Sequence, residues 1–135
     1  PGMKVLQFAF DSREESDYLP HNYEKNCIVY TGTHDNDTMT GWMKTAAKAD
    51  VAFSKKYLNI RRNRGASWEY IRAAYARGAS LAVVPIQDFL CLGSEARINT
   101  PSTLGGNWEW RLRADALSPE LAEKIRSFTA LYGRL

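Results

Sequence analysis

The chain has little of what would mark several common protein classes. With two cysteines in 135 residues it cannot carry a disulfide framework. Cys27 inside an apolar segment and Cys91 in a Gly-containing turn also lack metal-ligand spacing, and they fit reduced thiols of a cytoplasmic protein. No apolar run approaches the ~20 residues of a membrane span, so no membrane partner is expected. The net charge of +3 comes from 18 basic and 15 acidic residues that are mostly scattered, which gives no general footprint for nucleic acid. The one basic cluster, Arg61-Arg62-Asn63-Arg64, has no aromatic residue beside it in sequence and reads as a solvated loop. Low-complexity stretches and internal repeats are missing too. Pro1 stands where a start methionine would be and leads at once into a strand. The chain thus reads as beginning inside a longer protein, and the lack of a signal peptide says nothing.

What is present is an ordinary globular composition, 44% hydrophobic and 24% charged. Val5 to Phe10 reads as a first strand ended by Asp11-Ser12, and Cys27 to Tyr30 as a second. Between them, Arg13 to Asn26 contains Pro20 and has no helical period. Trp42, Ala46, Ala49, Phe53 and Tyr57 recur at spacings of four and three, the stripe of one helix. Ser67 is expected to cap a helix carrying Trp68, Ile71 and Tyr75, with Gly78 as its stop. Leu81 to Ile86 is nearly all apolar, as in a parallel strand covered on both faces, although Pro85 weakens a central placement. Gly93 to Asn107 reads as a loop. Ser118-Pro119-Glu120 opens a last helix whose stripe is Leu121, Ile125, Phe128 and Tyr132.

Three apolar strands are each followed by an Asp-bearing turn: Phe10-Asp11, Thr33-His34-Asp35 and Ile86-Gln87-Asp88. Parallel strands that present side chains at their C-terminal ends are the building principle of a (β/α)8 barrel's active face. The expected class is therefore α/β, the C-terminal part of a TIM barrel with about three strands and their helices, and residues 1–135 are expected to form one segment of its catalytic domain. Three strands cannot close a barrel, so an open strand edge able to self-associate is expected.

The run Tyr30-Thr31-Gly32-Thr33-His34-Asp35-Asn36-Asp37-Thr38, followed by Gly41-Trp42, resembles the signature of the 4-α-glucanotransferases, the amylomaltase or disproportionating-enzyme family. Three further blocks resemble that family in the same order: Pro1 to Phe10, then Tyr18-Leu19-Pro20-His21-Asn22-Tyr23, then Gln87-Asp88 through Asn107-Trp108-Glu109-Trp110-Arg111. The resemblance implies the sixth, seventh and eighth strands of the family's barrel. It implies retaining transfer of an α-1,4-glucan segment between malto-oligosaccharides or to glucose, with neither cofactor nor metal. Retaining transfer uses one carboxylate as nucleophile and a second as acid/base. The family's Arg-x-Asp-His and Ala-Glu-Asp blocks, which hold those two, are absent from this chain, so the chain alone is expected to be inactive.

Carried over by the resemblance, Asp35 is the third catalytic carboxylate, which orients the sugar and favours its oxocarbenium-like state. His34 would hold a hydroxyl of the same sugar, Asp11 would reach sugar hydroxyls, and Asn99 in Glu95-Ala96-Arg97-Ile98-Asn99-Thr100-Pro101 would serve the acceptor side. Ile98 and Cys91 depart from the family's Met and Gly. Without the resemblance, His34-Asp35 reads first as a strand-end hydrogen-bond cluster or helix cap, Asp11 as a turn residue and Asp37 as a helix cap. A metal-dependent hydrolase using His34, Asp35 and Asp37 is a further alternative, weakened because neighbours in an extended chain point to opposite sides. A non-catalytic carbohydrate-binding or interaction module is another. All four tryptophans, Trp42, Trp68, Trp108 and Trp110, are read as packing.

Overall fold

A computed structural model describes residues 2–135; Pro1, the start of one block quoted above, lies outside them. Three strands, β1 (Gly2–Val5), β2 (Cys27–Tyr30) and β3 (Leu81–Val83), form a parallel sheet in the order β1-β2-β3. The register pairs Met3 with Ile28 and Ile28 with Leu81, then Val5 with Tyr30 and Tyr30 with Val83. The link from β1 to β2 contains only 3-10 turns at Leu6–Phe8 and Pro20–Asn22. The link from β2 to β3 contains α1 (Met39–Thr45), α2 (Lys48–Leu58) and α3 (Ser67–Tyr75). Beyond β3 come the short α4 (Ile86–Phe89) and the terminal α5 (Pro119–Leu131). The α/β class holds.

Several local expectations are corrected. The first strand ends at Val5, and Leu6–Phe8 turn tightly so that Leu6, Ala9 and Phe10 reach the helical layer. Phe10 is the hub of that layer, with ring centroids about 6 Å from Trp42, Phe53, Tyr57 and Tyr70. The expected single helix through Trp42 and Tyr57 is two helices, because Ala46 and Ala47 are extended between them. Phe53 and Tyr57 still pack on the core, whereas Ala49 is exposed. Ser67 does not cap α3. It is the first helical residue, fully buried, and its hydroxyl donates to the Asp88 carbonyl at 2.7 Å. Gly78 does not stop that helix either, since it ends at Tyr75. The expected cap at Ser118 is present, its hydroxyl accepting from Leu121 N at 3.1 Å.

The sheet is covered on one face only, against the expectation from the apolar run at Leu81. Cys27 and Val29 point toward α3 and pack with Ala74 and Ala79. The opposite face carries Met3, Ile28 and Leu81, of which Met3 is 54% and Leu81 51% exposed.

Candidate functional site

The segment after β2 is folded by its own side chains. Thr31 is buried and its hydroxyl donates to Asp88 Oδ2 at 2.6 Å, while Met39 N, the first amide of α1, donates to Asp88 Oδ1 at 2.8 Å. One carboxylate on α4 thereby ties the end of β2 to the start of α1. Burial pushes its pKa up, opposed by these two donors. Asp88 was expected at an open strand end; it is instead an interior latch, 1% exposed.

Asn36 Oδ1 accepts from Thr33 N at 2.8 Å and from Thr33 Oγ1 at 2.9 Å, which bends Thr33 to Asn36 into a turn. The bend removes the extended geometry that would have separated His34 from Asp35. His34 Nε2 lies 3.3 Å from Asp35 Oδ1, and both side chains are about half exposed at the C-terminal end of β2. Thr38 caps α1, accepting from Gly41 N at 3.0 Å. Asp37, expected as that cap, instead accepts from Ser94 Oγ at 2.7 Å and ties the long loop to α1. A Cβ on Gly41 would collide with the Asp37 carboxylate and Ser94 Oγ, so this close approach requires glycine.

The loop after α4 closes over the turn. Asn99 N donates to the His34 carbonyl at 3.1 Å, Asn99 Nδ2 donates to Asp35 Oδ1 at 2.7 Å, and Arg97 Nη2 donates to the Asp35 carbonyl at 2.6 Å. Arg97 Nε also holds the Asn99 carbonyl at 2.9 Å. Among the described residues Asp35 Oδ2 has no hydrogen-bond partner, which leaves one face of the carboxylate open. Trp108 N then donates to the Ile98 carbonyl at 2.8 Å and sets the Trp108 ring 5.1 Å from that of His34. Trp108 is 58% exposed with φ +62°, so it is not packing as expected but a surface ring beside the turn. Gly105 and Gly106, both at positive φ, allow the chain to reach it. Trp42 and Trp68 do pack in the interior as read.

His34, Asp35 and Asn99 therefore come together; Trp108, read as packing, joins them, as does Arg97, to which no role had been given. The Gly-Gly-Asn turn before Trp108 was the available signal for it. Asp11 is elsewhere. Both its oxygens accept from the Arg13 guanidinium at 2.8–2.9 Å, and these bonds pull its pKa down to about 2. It lines a separate hollow with His21, Phe53 and Tyr57. Among the described residues, no three His, Cys, Asp or Glu side chains gather in a way able to hold a metal ion.

The sequence profile of the family described as 4-alpha-glucanotransferase matches residues 1–117. The chain belongs to the 4-alpha-glucanotransferase family. It is 48% identical over 135 residues to the 4-alpha-glucanotransferase of Clostridium butyricum and 46% identical over 142 to that of Thermus thermophilus. These alignments cover 99% and 100% of this chain and 28% of each relative. An amylomaltase from Streptococcus agalactiae, solved in complex with acarbose, superposes with a TM-score of 0.92 at 34% identity, covering 99% of this chain and 27% of that one. The chain thus spans about a quarter of the length of the 4-alpha-glucanotransferases it matches, and the His34-Asp35 turn falls within the family match.

Proposed function

We propose that this chain supplies the C-terminal strands of a (β/α)8 barrel in a 4-α-glucanotransferase acting on malto-oligosaccharides, and that Asp35 is its transition-state carboxylate. The observation that carries this reading is the state of Asp35. One oxygen is fixed by Asn99, the other is open, and the group sits half exposed at a strand's C-terminal end beside an imidazole and an indole ring. A carboxylate held this way can accept from sugar hydroxyls and oppose positive charge at the anomeric carbon with no reorganisation during the reaction. His34 is proposed to hold a hydroxyl of the same sugar. Asp11, bound by Arg13 in its own hollow, is proposed to meet a sugar unit away from Asp35.

Bond making requires two more carboxyl groups, one attacking the anomeric carbon and one protonating the leaving oxygen. The open sheet face with Met3, Ile28 and Leu81 suits the interior of a barrel whose remaining strands carry those groups. The free thiols of Cys27 and Cys91 suit a reducing, cytoplasmic setting.

Asp35→Asn in the full-length protein removes the charge and keeps the shape. Turnover of maltotriose should fall by roughly two orders of magnitude or more, with thermal unfolding nearly unchanged. Near-normal turnover would make Asp35 a structural group and leave a carbohydrate-binding module as the better reading.

A further inference from the structure

The helical side of the molecule holds a groove of about 640 Å³ that belongs to neither the His34-Asp35 turn nor the Asp11 hollow. Its size is that of a small-molecule site. The basic loop lies along it: Arg61, Arg62 and Arg64 line it together with Arg72 and Lys124. The sequence shows no aromatic platform beside this loop, but the fold brings one. Trp68 and Phe128, 60 residues apart, meet edge to face with centroids 5.2 Å apart and both line the groove.

The two cation sets are prepared differently. Lys124 Nζ sits 3.9 Å from the centroid of the Trp68 ring, and the Arg72 guanidinium lies 5.1 Å from the Phe128 ring while bonding Tyr132 Oη and Glu69. Cation–π contact and hydrogen bonds fix both before any ligand arrives. Arg61, Arg62 and Arg64, by contrast, form no ion pair or side-chain hydrogen bond among the described residues, and all three are exposed. Glu69 is the one acid lining the groove, and Arg72 already engages it. Two fixed cations and three free guanidinium groups lining one groove suit a compact anion with more than one charge, because guanidinium forks pair bidentately with phosphate oxygens.

We propose that this groove binds a small phosphorylated ligand with at least two negative charges, held by the fixed cations Lys124 and Arg72 and by the free guanidinium groups of the Arg61–Arg64 loop. Cys91 also lines the groove, whereas Cys27 is buried, so the site carries its own reporter.

The test is calorimetric titration of the full-length protein at constant ionic strength with pyrophosphate, a nucleoside diphosphate and a hexose phosphate. Saturable binding of one ligand per chain by at least one of them is expected, and the tightest identifies the source of the phosphate. Arg61→Ala combined with Arg64→Ala, and separately Lys124→Met, should each weaken binding roughly tenfold or more. The glucan-transfer rate without phosphate should not change, since none of these residues touches the Asp35 turn. Alkylation of Cys91, followed by peptide mass mapping, should slow when the phosphate ligand is present. No saturable binding, equal binding by the variants, or tighter binding of a single-stranded oligonucleotide than of any of the three would overturn the proposal.

Discussion

Asn99 shows how a single hydrogen bond can redistribute roles within a site. One N–H of its amide is committed to Asp35 Oδ1 at 2.7 Å, so the side chain acts on the carboxylate, while its second N–H and its carbonyl oxygen remain for a sugar. A hydrogen bond to a charged group contributes about 1.5–3 kcal/mol, so Asn99→Ala should lower turnover about ten- to a hundredfold in the full protein. Transfer and hydrolysis products, quantified together, should fall in parallel. A rise in hydrolysis relative to transfer at unchanged turnover would return Asn99 to the acceptor side. Asp88 makes a second prediction at this scale. Its pKa is raised above the ordinary 3.8, chiefly by burial, so the folded state binds the proton more tightly than the unfolded chain. Its contribution to stability is therefore greatest below that ordinary value and declines as pH rises through the raised one. Asp88→Asn can still accept from Met39 N and meet the Thr31 hydroxyl, so unfolding midpoints measured from pH 3.5 to 7 should decline less with pH than those of the parent.

At the scale of elements, the connection from α4 to the loop depends on an unfavourable residue. Cys91 has φ +55°, a region costly for a residue with a Cβ, and its amide bonds the Asp88 carbonyl at 3.2 Å to close the turn. The turn at Cys91 therefore holds strain that a glycine there would not carry. Cys91→Gly should raise the unfolding midpoint, by about 1 kcal/mol in stability less the entropy glycine adds to the unfolded chain. Cys91→Ala keeps the Cβ and should show no such gain. Equal midpoints for the two variants would mean that the turn is unstrained. The break between α1 and α2 has no such local origin, since alanine is the best helix former: Ala46 and Ala47 are extended between the helices, and α2 packs its Phe53 and Tyr57 onto Phe10.

For the molecule as a whole, the one-sided sheet sets the behaviour of the isolated chain. Met3, Leu81 and Val83 form an exposed apolar face bounded by two unpaired edges, because β1 and β3 are the outer strands. Exposed parallel edges and apolar faces recruit other chains. Sedimentation of the isolated 135-residue chain should show concentration-dependent association, and Leu81→Lys with Val83→Lys should reduce it. A monomer at all concentrations would show that the edges are shielded by the chain's own loops.

The strands at Cys27 and Leu81, the capped last helix and the polar turn after Tyr30 were legible in the sequence, because each rests on neighbours within a few residues: β-branched runs, Ser118 before Pro119, Asn36 beside Thr33. The family, too, was carried by contiguous blocks. What the sequence could not supply were contacts made across many residues. Asn99 meets Asp35 from 64 residues away and Asp88 meets Thr31 from 57. Trp108 reaches His34, and Phe128 and Lys124 reach Trp68, only through the loop and the packing of α5. Local patterning determined which elements form and which residues crowd the end of β2. Tertiary packing decided which carboxylate is buried and which is open, because exposure is a property of what the rest of the chain lays over a residue.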